Sequence, residues 1–281
     1  MSGASPDVEP GEFAHPGPGR AWAGGAVSQR ARCVLAPNPG PMTLEGTNTW
    51  VLGEPGARRV VVVDPGPGIE EHLLAVRADV LQTGRRVGLV LLTHRHPDHA
   101  EGAARFAELT GAPVRALDPS GLLGAEGLTD DSTLEVDGLV LRVLRTPGHT
   151  GDSVCLLLPA EGSMLTGDTV LGRGTSVVAH PDGRLADYLD SLHRLVEWSR
   201  RAGLRLLLPG HGPVLPDPAG VLAGYLAHRA ERLEQVRAAV AAGDRTAAEV
   251  VARVYSDVDR SLWPAAELSV RAQLEYLRRH G

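Results

Sequence analysis

One heptapeptide constrains this chain more than any other stretch: Thr93-His94-Arg95-His96-Pro97-Asp98-His99. It follows an apolar run, Val87 to Thr93, that reads as a buried strand. It opens a segment, Asp98 to Leu109, with helical spacing. His94 and His96 stand two apart on an extended stretch, so they project to the same side and can share one metal. Pro97 turns the chain into the helix, which brings Asp98 and His99 to a neighbouring position where they can share a second. Imidazole nitrogen and carboxylate oxygen are the usual ligands of hydrolytic zinc, at about 2.0–2.2 Å. Any one of these residues alone reads as a surface histidine or an ordinary first-turn acid. The specificity lies in three His and one Asp falling within six positions.

One loop cannot close two metal sites, so the remaining ligands must come from other strand ends. Three candidates have Gly or Pro beside them, where the backbone can turn sharply around a crowded site. Pro147-Gly148-His149-Thr150 follows the strand Leu139 to Leu144. Thr166-Gly167-Asp168-Thr169 follows Ser163 to Thr166. Pro209-Gly210-His211-Gly212 follows Leu204 to Leu208. Further strands are expected at Thr47–Leu52, Arg59–Val63, Pro113–Leu117 and Val154–Leu158. Helices are expected at Ile69–Thr83, with Leu73, Leu74, Val76, Val80 and Leu81 inward, and at Leu185–Arg201. Alternating strands and helices with polar residues at strand ends predict a layered α/β domain with its site on the loops.

His94-x-His96-x-Asp98-His99, followed in order by Gly148-His149, Gly167-Asp168 and Gly210-His211, resembles the ligand series of the metallo-β-lactamase superfamily over roughly residues 40–215. Asp64, in Val-Val-Asp-Pro-Gly, resembles its first motif. The resemblance implies an αββα sandwich with two metals between the sheets. His94, His96 and His149 would hold the first metal, Asp98, His99 and His211 the second, and Asp168 would bridge them. It also implies hydrolysis by a metal-bridging hydroxide. Asp98 would be the catalytic residue that orients the nucleophile, and Asp64 would steady a histidine ligand by a hydrogen bond. Neutral imidazoles and carboxylates suit Zn²⁺, two per chain, with Fe or Mn also compatible. No substrate-binding residue is assigned.

The chain divides into a flexible segment at 1–30, a catalytic domain at 31–218 and a helical domain at 219–281. The helical domain is expected to contain helices at Ala219–Ala242, Thr246–Tyr255 and Pro264–Arg279. Its motifs, such as Tyr225-Leu226-Ala227-His228-Arg229 and Gln273-Leu274-Glu275-Tyr276-Leu277, resemble the winged-helix-like domain of the lactamase-beta-2-like branch. That branch is similar to ribonucleases acting on single-stranded RNA, so an endoribonuclease is the first expectation, and also to thioesterases, the alternative. A glyoxalase II-like hydrolase of small acyl thioesters, and a non-catalytic metal-stabilised binding protein, are further alternatives. Arg229, Arg232 and Arg237 are candidate phosphate contacts, although Glu231 and Glu234 sit among them. His96, where the flavodiiron branch has Glu, favours hydrolysis. Asp168, where secreted β-lactamases have Cys, argues against antibiotic degradation.

The formal net charge of -6 gives no support for duplex DNA binding through a basic face. Met1 to Gly19 lacks the basic and apolar regions of a signal peptide, and no apolar run reaches about 18 residues, so no membrane span is expected and the cytoplasm is the expected location. Cys33 and Cys155 have no ligand-like spacing. The other histidines, His15, His72, His180, His193, His228 and His280, are expected on solvated surfaces, with His180 also a candidate for approach to the substrate.

Overall fold

The computed structural model describes residues 21–120 and 125–280. The first sheet is laid down in chain order: β1 (Gly25–Ala26), β2 (Ala31–Leu35), β3 (Asn48–Leu52), β4 (Arg59–Val63), β5 (Arg86–Leu91), β6 (Val114–Ala116) and β7 (Ala125–Gly127). Neighbours from β1 to β4 are antiparallel, and those from β4 to β7 are parallel. The second sheet contains β8 (Thr133–Val136), β9 (Leu139–Arg145), β10 (Val154–Leu158), β11 (Ser163–Gly167), β12 (Leu206–Pro209) and β13 (Leu215–Pro216).

Alternation along the strands sorts side chains between two sides of each sheet. In β4, Val61 and Val63 face the second sheet, while Val60 and Val62 face helices. In β5 the alternation is reset by a bulge. Val60 pairs with Val87 but Val61 pairs with Leu89, which leaves Gly88 as the extra residue. Leu89 and Leu91 thereby join Val61 and Val63 in the inner core, opposite Leu141, Val143, Leu156 and Leu165 of the second sheet. Each such fully buried aliphatic side chain contributes about 1.5–3 kcal/mol relative to exposure.

The helices cover the outer faces. Helix α1 (Glu70–Gln82), α2 (Pro97–Ala100) and α3 (Ala103–Thr110) pack on the first sheet through Leu73, Val76, Val80 and Phe106. Helix α4 (Leu185–Ala202) covers the second through Tyr188, Leu192 and Leu195. The fold is therefore an αββα sandwich. Helices α5 (Pro218–Ala241), α6 (Ala247–Val254) and α7 (Trp263–His280) form the C-terminal helical domain. It has its own core of Val236, Ala239, Val250, Val251, Ala266 and Val270. The N-terminus of α6 is fixed by a capping box between Thr246 and Glu249. Leu222, Tyr225 and Ala272 join the cluster under α4, so the two cores meet there.

Several expectations need correction. Leu74 and Leu81 are 42% and 51% exposed. The inward face of α1 is instead completed by His72. The helix expected at Asp98–Leu109 is broken between α2 and α3 because Gly102 lies under the loop after β4. Its amide donates to the Gly66 carbonyl, and a Cβ there would sit 2.8 Å from Leu73 Cδ2 and 3.0 Å from two backbone oxygens. Residues 21–30, read as flexible, carry β1 and put Trp22 and Val27 in the inner core; residues 1–20, with His15, lie outside the described residues. Strands β2, β7, β8 and β13 were not expected, being short or flanked by turn residues. Cys33 and Cys155 are buried free thiols. Among the described residues, no helix is long and apolar enough to cross a membrane.

Candidate metal centre

The loops after β4, β5, β9, β11 and β12 all end at one place between the sheets. They bring together all seven predicted ligands in two groups: His94, His96, His149 and Asp168, and Asp98, His99 and His211. Within each group the potential ligand atoms lie within 4.8 Å of one another. His96 Nδ1 is 3.0 Å from both His94 Nε2 and His149 Nε2. In the second group, His99 Nε2 is 3.1 Å from His211 Nε2, which is 3.1 Å from Asp98 Oδ2. Asp168 lies between the groups, its Oδ1 3.4 Å from His99 Nε2 and its Oδ2 3.5 Å from His211 Nε2 and 3.6 Å from His149 Nε2.

Proton accounting shows what these contacts are. Four of the five rings place Nδ1 on a fixed acceptor. His99 Nδ1 donates to Asp64 Oδ2 at 2.9 Å, and His149 Nδ1 donates to the Val177 carbonyl at 2.7 Å. His211 Nδ1 donates to the Gly46 carbonyl at 3.1 Å. The Thr93 hydroxyl gives its proton to Asp64 and so accepts from His94 Nδ1 at 3.0 Å. With Nδ1 protonated, each neutral ring turns an Nε2 lone pair inward. Converging lone pairs repel unless a cation sits among them. Asp168 Oδ1 is likewise buried without a hydrogen-bond partner. The donor set of imidazole nitrogens and carboxylate oxygens fits a metal ion such as zinc.

The electrostatics give the same answer. Burial pushes the His94 imidazolium well below its ordinary range, helped by the charge of His99. Burial also opposes a proton on His211, but the Asp168 and Asp98 carboxylates outweigh it and raise the group to about 9. Asp168 is held well below the usual carboxylate range, because His211 and His99 overcome its burial. The pocket between these carboxylates favours positive charge.

Asp64 anchors the framework. Besides His99, its carboxylate accepts from the Thr93 amide and hydroxyl, both at 2.7 Å. Its backbone occupies the left-handed region at φ 53°, which Asp tolerates better than most residues. Sequence reasoning missed four supporting residues. His72 is 3% exposed rather than solvated, and its Nε2 lies 2.9 Å from the Thr49 hydroxyl, which donates to the Asp64 carbonyl. Asn48 donates to the carbonyls of Pro209 and Gly212, which pins the His211 loop. Ser176 Oγ lies 3.2 Å from His149 Nδ1. A Thr-Asn-Thr run in an otherwise apolar strand is the signal for Thr49 and Asn48.

Other candidates lie elsewhere. His180 pairs with Glu275 of α7 at 3.1 Å, away from the cluster's ligands. Arg237 pairs with Glu234 on the surface of α5. Arg229 is buried, its guanidinium over the Tyr188 ring and bonded to the Ser176 carbonyl. Arg232 lies over Tyr255. The cluster's half-buried members are His96, Asp98 and Asp168, while His94, His99, His149 and His211 are buried.

Comparison with known proteins agrees with this geometry. Residues 42–211 match the family model of the Metallo-beta-lactamase superfamily, and residues 246–281 that of the Beta-lactamase associated winged helix domain. A Beta-lactamase-like protein 2 homolog from Drosophila melanogaster is 32% identical, over 88% of this chain and 87% of the fly protein. An atrochrysone carboxyl ACP thioesterase from Cryptosporiopsis sp. is 34% identical, over 75% of this chain and 62% of that protein. Among solved structures, a metallo-beta-lactamase family protein from Thermus thermophilus superposes with a TM-score of 0.76 at 27% identity, over 91% of this chain and 95% of that one. The chain belongs to the metallo-beta-lactamase superfamily, as a hydrolase whose His/Asp cluster can bind metal.

Proposed function

We propose that this hydrolase cleaves small acyl thioesters, using two zinc ions. In this reading His94, His96 and His149 would hold one ion, Asp98, His99 and His211 would hold the other, and Asp168, which lies between the two groups, would serve as a ligand as well. The observation that carries the substrate class is the shape of the space beside the cluster. A pocket of about 400 Å³ lies between the loops at 41–44 and 171–177 and the C-terminal domain. Its apolar wall is formed by Met42, Leu44, Leu171, Val177 and Leu262. That volume and lining suit a small molecule. The similarity to an ACP thioesterase points the same way. A single-stranded RNA substrate has less support: Arg237 is tied to an acid, and Arg229 is buried at the back of this pocket rather than on an open basic face.

Bound metal ions would supply Lewis acidity toward the substrate carbonyl and lower the pKa of water toward neutrality. The chain's own residues do the rest. Asp98 orients the attacking water and takes its proton at Oδ1, the oxygen not turned toward His211. Asp64, Thr93, Val177 and Gly46 fix the imidazole rings so that no reorganisation is needed during the reaction. The leaving thiolate, with a thiol pKa of about 8.5, needs little help from a general acid.

The test is a panel of N-acetylcysteamine thioesters, their oxygen-ester counterparts and a labelled single-stranded RNA, offered to protein of measured zinc content. Thioester turnover should dominate and should collapse in Asp98→Asn. RNA cleavage without thioester turnover, lost in the same variant, would replace this reading with a ribonuclease.

A further inference from the structure

The pocket beside the cluster has a second, cationic wall. His228, Arg229 and Arg232 stand on one face of α5 and all line it. Arg229 is only 7% exposed. One guanidinium nitrogen donates to the Ser176 carbonyl, but Nε is buried with no hydrogen-bond partner. His228 Nδ1 is likewise buried and unpartnered. Arg232 donates to the Val254 carbonyl and to Gln235, and its guanidinium lies 4.3 Å from the Tyr255 ring centre.

Neither Arg229 nor Arg232 has a carboxylate within 4.0 Å among the described residues, whereas much more exposed arginines, such as Arg59, Arg105 and Arg253, are ion-paired. A buried charge without a counter-charge is costly. Cation–π contact with Tyr188 and Tyr255 offsets part of that cost but leaves Nε of Arg229 unmatched. The guanidinium fork is the group best shaped to take an oxyanion.

The apolar wall also borders the ligand cluster. Val177 supplies the carbonyl that holds His149. Leu44 lies against Gly212, next to His211. The pocket is therefore one residue removed from His149 in one group and from His211 in the other.

We infer that this pocket is a subsite for an oxyanion carried on an apolar segment of the substrate, with Arg229 and Arg232 as its cations. The proposal rests on the thioester reading only for what that segment is attached to. The oxyanion is either a carboxylate at the far end of the acyl group or a phosphate on the thiol carrier; both present the same chemistry to the arginines.

Calorimetric titration of the metal-loaded protein with hexanoate, hexyl phosphate and neutral hexanamide tests it. At least one anion should bind about 10-fold or more tightly than hexanamide, the worth of one charged hydrogen bond. Arg232→Gln and Arg229→Gln should each erase most of that preference. The tighter anion identifies the source. Arg229 is buried and its variant can misfold; Arg232 is half-buried, so Arg232→Gln decides alone if needed. Hexanamide binding as tightly as both anions, or an anion preference untouched by Arg232→Gln, as when anions sit on the metals, overturns the proposal. If the preference is found and no thioester is hydrolysed, the thioesterase reading fails while the subsite stands.

Discussion

Asp64 and His99 join the framework to the cluster: a fully buried carboxylate oxygen lies 2.9 Å from a fully buried Nδ1. Every lone pair that Asp64 turns inward meets a donor, from Thr93 twice and His99 once. In Asp64→Asn, an amide NH₂ must replace one oxygen and face a donor. Asn tolerates the positive φ, so the fold is expected to survive. Metal affinity should fall by about 10–100-fold, the usual effect of losing such a partner. Competition with a metal-buffering chelator measures it, and an unchanged affinity would mean that His99 needs no orienting acid.

Gly148 sets His149 in place. It sits at φ 136°, and a Cβ there would come within 2.3 Å of the Tyr188 Cα at the start of α4. No side chain can move to relieve a clash with backbone. Gly148→Ala should therefore destabilise by roughly 4 kcal/mol or more, or fail to fold. Gly111→Ala is the control. It shares the left-handed backbone, at φ 69°, but has nothing within 4 Å of the added carbon, so it should cost only about 1–2 kcal/mol. Urea unfolding of both variants checks the difference; equal losses would show that backbone conformation, not the approach of Tyr188, makes Gly148 necessary.

These two residues show what the sequence does and does not make visible. The convergence of the seven His and Asp residues was legible because metal chemistry admits few residue types, and because the strand ends carry them beside Gly or Pro. The strands Arg59–Val63 and Val154–Leu158 were legible because both of their faces are buried and the apolar run is continuous. His72 was not legible: a histidine in an amphipathic helix looks the same whether it faces water or Thr49. The break at Gly102 was hidden because its cause, the backbone of Gly66 and Pro67, is distant in sequence. Arg229 and Arg232 were legible as candidate phosphate contacts, together with Arg237, but not as the wall of a pocket. Nothing local distinguishes Arg229, buried over Tyr188, from Arg237, paired on the surface with Glu234.

His72 makes stability depend on pH. Burial lowers its pKa to about 4, from about 6.5 in an unfolded chain. The depressed value means that the unfolded state binds the proton more readily. The contribution is fully present above about pH 6.5 and is lost as pH falls through the folded value. Between pH 7 and pH 5 that loss is about 2 kcal/mol. His72→Gln keeps a donor for Thr49 but cannot titrate. Its stability should fall less steeply over this interval, by about the same 2 kcal/mol. Parallel curves for variant and parent, from denaturant titrations at each pH, would exclude His72 as the group responsible.

Metal removal should expose the strain built into the cluster. Without a cation, His99 and His211 hold their Nε2 atoms 3.1 Å apart, and only a shared proton can relieve the lone pairs. The Asp168 and Asp98 carboxylates keep that proton on the cluster, with His211 raised to about 9, so the metal-free protein folds with a buried charged network. A metal ion held by these groups would bind the native state and find no comparable site in the unfolded chain. At free metal 100-fold above Kd, each site should stabilise by about 2.7 kcal/mol. Chelation should lower Tm in two separable steps if the two groups differ in affinity, and added zinc should restore it. His96→Ala removes a ligand of the first group alone and should abolish one step while leaving the other. A Tm that does not move on chelation, with metal loss verified by elemental analysis, would show that the cluster is held entirely by Asp64, Thr93 and the carbonyls around it.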